Sequence, residues 1–194
     1  MKETRALALP AFHALTGCDT TVSFFNKGKK LAWEVWNSYP PLTRPLTVMS
    51  HPGAQLRMVM PFVHILHNFV NRLYGIETDN LSVDDVRLDF VLHKGKQFDE
   101  LPLSSDALHQ KIMRVTYQAG HVWGNLIEKN PKFPNITDWG WIKDGPTSAP
   151  ESCWITQPVL SGAAMKELAM CKCKSGNCKH LCTCCQHNQV CTAL

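Results

Sequence analysis

The chain has 194 residues, 44% of them hydrophobic, and a formal net charge of +4. This composition is globular rather than disordered, and so mild a positive charge permits nucleic-acid contact without demanding it. No run of about 20 apolar residues is present and the start Met1-Lys2-Glu3-Thr4-Arg5 makes a poor secretory signal, so an intracellular protein with no membrane partner is expected.

In chain order, residues 4–16 read as a helix with Leu7, Phe12 and Leu15 among its apolar positions; Pro10 should kink it or set its start. Gly17 closes it, and the corner Gly17-Cys18-Asp19 follows. A second helix is expected over about 27–37, with Leu31, Val35 and Trp36 on one side. Residues 39–52 hold four prolines and read as an extended surface connection. The next helix ends near Tyr74, with Pro61 at a start or kink. Phe62, Ile65, Leu66, Phe69, Val70 and Leu73 form its stripe. Ser82 and Asp85 resemble a capping box for a helix over 83–92. The longest pattern runs from a Ser104 or Ser105 cap to about Lys129. Its core stripe is Leu108, Ile112, Val115, Ala119, Val122 and Leu126, and Thr116, Gly120 and Gly124 make a second, small-residue face. No alternation is long enough to name a strand. The fold class is mainly α, over a body at 1–144.

Several groups invite a chemical reading. Asp19, at a helix–loop corner, reads as a Mg²⁺ or Mn²⁺ ligand or as an Asp capping its own turn. Lys27, Gly28, Lys29 and Lys30 open a helix, where lysines oppose the macrodipole and want an anion; they read as a phosphate grip or as a solvated helix start. His64 and His67 stand three apart on a helix but lack a carboxylate one turn away, so surface histidines are expected. His13 and His121 should be satisfied by hydrogen bonds. The acids at 77–89 fit a capped, solvated helix better than a metal cluster. Trp139-Gly140-Trp141 reads as a core plug or as a stacking platform for bases.

The cysteines are unevenly placed. Of nine, seven fall between Cys171 and Cys191, beyond a Pro/Ser/Thr-rich linker at 145–164. In a reducing compartment such clustering favours metal thiolates over disulfides. Cys171, Cys173, Cys178, Cys182, Cys184 and Cys191 have intervals that suit tetrahedral zinc. The interleaved Lys172, Lys174 and Lys179 offset thiolate charge and offer contacts to phosphate. The tail at 165–194 is therefore expected to be a small, irregular zinc-binding unit.

This tail resembles the first six cysteine positions of the tesmin-type CXC domain, a zinc-cluster module that binds DNA; the three further cysteines of that pattern are not in the sequence. The segment from Ala11 to Trp33 resembles flap-endonuclease and PIN-like nucleases, in which a Gly-(Ser/Cys)-Asp corner binds catalytic metal and a Gly-x-Lys turn grips DNA backbone. That resemblance implies metal-ligand ancestry for Asp19 and backbone contact for Gly28, Lys29 and Lys30. It also makes the body the helical C-terminal part of a PIN-like domain. The blocks LPAFHALTGCD, YQAGHVWG and DWGW, with the cysteine-rich tail, resemble a multi-copy family of uncharacterised, mobile-element-like animal proteins. Eighteen residues before Asp19 cannot supply the other carboxylates of a two-metal site. The expectation is a nuclear fragment of a longer protein. It binds zinc and contacts DNA without autonomous catalysis; the alternatives are a nuclease completed by another chain and a helical protein-interaction module with a structural zinc tail.

Overall fold

Pro10 does not set the start of the first helix. In the computed structural model, which describes residues 2–94, 96, 100–145 and 147–155, helix α1 runs Lys2–Leu15 straight through it. The side-chain oxygen of Ser50 accepts the neighbouring Ala11 N–H at 3.0 Å, so a donor beside the proline finds a partner outside the helix. The buried face of α1 is Ala8, Ala11, Phe12, Ala14 and Leu15, whereas Leu7, expected on the apolar side, is 63% exposed. The alanines let helix α3 (Thr43–Met49) lie close along α1.

Helix α2 (Lys29–Ser38) buries Ala32, Val35 and Trp36, while Leu31 stays at the surface. Trp36 stacks on Phe12 with ring centroids 4.8 Å apart and donates its indole N–H to Thr43 Oγ1 at 3.0 Å. The stretch expected as an extended surface connection is instead a 3₁₀ turn, Pro40–Leu42, leading into α3, and Leu42, Leu46 and Met49 are wholly buried. The reason is positional. A proline in the first turn of a helix has no N–H to satisfy and is already near helical φ. Pro40, Pro41 and Pro45 all occupy such opening turns.

A short α4 (Leu56–Val59) and a 3₁₀ turn carrying Pro61 precede α5 (Val63–Leu73), whose buried stripe is Leu66, Phe69, Val70 and Leu73. The capping box at the start of α6 (Val83–Leu92) is present in both directions, with Asp85 N–H to Ser82 Oγ at 3.1 Å and Ser82 N–H to Asp85 Oδ2 at 2.9 Å. Asp84 accepts the Ser105 N–H, tying α6 to the start of helix α7 (Ser105–Thr116), which Ser104 caps.

The pattern expected as one helix to about 129 changes character at Tyr117. It winds as a π turn over Tyr117–Val122, then as a 3₁₀ turn over Trp123–Asn125, and Leu126 is 73% exposed. The small-residue face is turned inward here. A Cβ on Gly120 would lie 2.8 Å from the Met49 carbonyl oxygen and 2.9 Å from that of His51, and one on Gly124 would lie 3.3 Å from Pro52. Trp139 and Trp141 plug a second small core with Tyr117. Strand β1 (Trp141–Ile142) pairs antiparallel with β2 (Glu151–Ser152), Trp141 opposite Ser152, so part of the expected linker is built into the body. The chain divides into units Met1–Thr156 and Gln157–Leu194; all described residues belong to the first.

The fold is thus mainly helical, and among the described residues no helix is long and apolar enough to cross a membrane. Gly120→Ala forces its new carbon against two backbone carbonyls, and we expect a loss of about 1–3 kcal/mol in urea denaturation. Gly145→Ala, where nothing lies within 4 Å, should change stability by less than about 0.5 kcal/mol.

Candidate anion-binding groove

The corner after α1 is held by its backbone. Gly17 has φ +108°, and a Cβ there would come within 2.8 Å of Ser23, so glycine is required on two counts. Cys18 and Thr21 exchange backbone hydrogen bonds at 2.8 and 3.3 Å. Thr21 donates to the Ala14 carbonyl at 2.5 Å, and Thr20 donates to Gln118 Oε1 at 2.9 Å, which fastens the corner to the π turn. A second turn follows, with Lys27 N–H bonded to the Phe24 carbonyl and Asn26 at φ +53°. Between these turns and the start of α2 lies an open groove of about 660 Å³, lined among others by Thr16, Cys18, Phe24, Lys27, Gly28 and Lys29.

Gly28 opens α2 with no side-chain cap and no acid in the first turn. The three lysines of the motif take different places. Lys27 rests its ammonium 4.6 Å from the Tyr74 ring centre, and Lys30 is exposed. Lys29 turns inward. Its Nζ donates to the His13 carbonyl at 3.1 Å, to Thr16 Oγ1 at 3.0 Å and to the Gly17 carbonyl, so it caps the carbonyl end of α1, where a cation is favourable. Burial lowers its pKa, and Cys18 works against that.

Asp19 is exposed at the tip of the corner, and its carboxylate makes no hydrogen bond within the described residues. No group of three His, Cys, Asp or Glu side chains positioned to hold a metal occurs among the described residues. A cation at Asp19 would need ligands from elsewhere. The six tail cysteines and Lys172, Lys174 and Lys179 lie outside the described residues.

Cys18 lies in the same corner, and its surroundings pull its thiol in both directions. Burial raises its pKa, while contacts with the Thr20 and Thr21 hydroxyls, at 3.4 and 3.1 Å, act to lower it. Backbone contacts with Thr20 and Thr21 act in the same direction, and the net shift is downward. The single proton of Thr21 is held by the Ala14 carbonyl, so in the Thr21 contact a protonated thiol is the donor.

The residue missed from sequence is Lys111. It is wholly buried, its Nζ donates to the Val22 carbonyl, and it lies 4.8 Å from the Phe24 ring centre. Burial pushes its pKa from 10.5 down to about 7, helped by Arg114 and Lys29 and opposed by Cys18. One turn on, the buried Arg114 donates to the Gly140 carbonyl at 2.9 Å and to that of Cys153. The signal was available: positions 108, 111, 112 and 115 share one helical face, so Lys111 interrupts the core stripe.

Other polar groups serve the fold. His67 Nδ1 accepts the Val83 N–H at 3.3 Å, and His64 is exposed, so the two do not converge. His121 donates Nε2–H to the Ala54 carbonyl at 2.8 Å, whereas His13 is exposed with its ring against Trp123. Asp79 pairs with Arg72 at 2.8 Å. No family model, no curated protein and no solved structure matches the chain.

Between pH 7 and 10.5 the unfolded chain holds a proton at Lys111 that the folded chain has released. Stability should therefore rise with pH across this window, by at most about 1.4 kcal/mol per unit, and be least below it. Urea denaturation at several pH values should show Lys111→Met lacking that increment. Identical slopes in parent and variant would count against a depressed Lys111.

Proposed function

We propose that this chain is a nucleic-acid-associated module of PIN/flap-nuclease-like ancestry that docks phosphodiester backbone in the groove at the start of α2. The observation that carries the reading is uncompensated positive charge. Lys27, Lys29 and Lys30 gather around an uncapped helix start, and none of them forms an ion pair with a carboxylate among the described residues. A phosphate placed there would meet free backbone N–H groups, the positive end of the helix dipole, the half-buried ammonium of Lys27 and the exposed one of Lys30. Lys29 acts indirectly, by holding the end of α1 against the groove. Zinc bound by the tail cysteines, with Lys172, Lys174 and Lys179 between them, would add a second basic surface.

DNA binding followed by fluorescence anisotropy against salt tests this. The logarithm of affinity should fall linearly with that of salt, and Lys27→Ala with Lys30→Ala should reduce the slope by up to about two. Absent or salt-independent binding would sink the reading. Cleavage with Mg²⁺ or Mn²⁺ that Asp19→Ala abolishes would establish the nuclease alternative instead. For the tail, native mass spectrometry under reducing conditions should find bound zinc; an apo chain would remove that part.

A second reading, a helical protein-interaction module, is favoured by the outer side of α6, where Leu88, Val91 and Leu92 are 52%, 44% and 41% exposed.

A further inference from the structure

Lys111 stands directly behind the groove wall. Val22, whose carbonyl takes its proton, and Phe24, whose ring it faces, both line the groove, as do Cys18 and Lys29, its charge-coupled neighbours. The titratable and charged groups facing it are Arg114 on its own helix, Cys18 in the corner and Lys29 on α2. Two of the three are cations, and none is a carboxylate. A buried amine so surrounded sheds its proton unless a negative charge is brought near, because burial penalises the ammonium and the cations repel it. The neutral amine still donates one N–H to Val22, so losing the proton leaves the wall in place.

An anion in the groove reverses this balance. Resting on the phosphate-docking reading above, we propose that backbone binding is proton-linked: occupation of the groove by a phosphodiester drives Lys111 to take up one proton from solvent. The amine becomes an ammonium, the buffer supplies the proton, and no other bond changes. Binding is then tightest where Lys111 is already charged and weakens as pH rises and the proton must be acquired. Arg114 makes two carbonyl bonds and stays charged throughout, so it sets the bias without titrating.

The test uses the full chain with two probes that keep their charge over this range, inorganic sulfate and a short oligodeoxyadenylate. From about pH 6.5 to about pH 9 the affinity for both should fall about three- to thirtyfold, the range expected for one charge pair across a partly solvated wall. At about pH 8, calorimetry in buffers of small and large ionisation heat should show uptake of up to about one proton per site. Cys18→Ser should retain the linkage, whereas Lys111→Met should abolish it. Should Lys111→Met not fold, lysine ¹³Cε-labelled parent protein supplies the answer: the Lys111 titration midpoint should rise when sulfate is added. Anion binding with a flat pH profile and an unmoved midpoint would overturn the proposal while leaving the docking reading intact. Absence of anion binding at every pH would overturn both.

Discussion

A fully buried lysine whose partner is a carbonyl is the constraint around which this body is arranged. Lys111 reaches from α7 to Val22, across 89 positions of chain, and so anchors the loop between α1 and α2 to the helix behind it. Thr20 to Gln118 repeats the tie about two turns further along, and Lys29 closes the near end of α1. The loop that carries Asp19, Lys27 and Gly28 therefore has a defined shape although it contains only isolated bridges of regular structure. A buried amine costs free energy unless it is neutral or compensated. Burial accordingly brings the Lys111 pKa down to about 7.

Close approach is the second organising feature. Ala8 and Ala11 let α3 lie along α1, and Gly120 admits the carbonyls of Met49 and His51. The π turn belongs to the same contact. A straight α-helix through residue 129 would continue the Leu108–Ile112–Val115 stripe toward Leu126, yet Leu126 points to solvent. Widening the helix at Tyr117–Val122 changes the direction of everything beyond it. It brings His121 to Ala54 and Tyr117 to the two tryptophans of the DWGW block.

Much of this was legible before any coordinates. The capping box at Ser82 and Asp85, the glycine stop at Gly17 and the α5 stripe are local devices: each is satisfied within about one or two turns of chain, so short-range spacing suffices. The prolines misled because their meaning depends on register. The same Pro40, Pro41 and Pro45 that forbid a helix interior are neutral or favourable in an opening turn. Leu7 misled for a related reason, since the alanines beside it win the buried face once a neighbouring helix comes close. Lys111 was visible as an interruption of an apolar stripe but was passed over, because lysine is the residue least expected to be wholly buried.

Sequence by itself determined the mainly helical character, where most helices begin and end, and which short motifs carry charge or thiolate chemistry, because these follow from periodicity, caps and spacing along the chain. Tertiary structure decided which lysine of the Lys27–Lys30 group faces solvent and which one caps α1, and it placed Lys111 behind them. It also left Asp19 outside any group of three potential metal ligands among the described residues. These outcomes depend on residues 16, 89 or 98 positions apart meeting in one place, which no local pattern encodes.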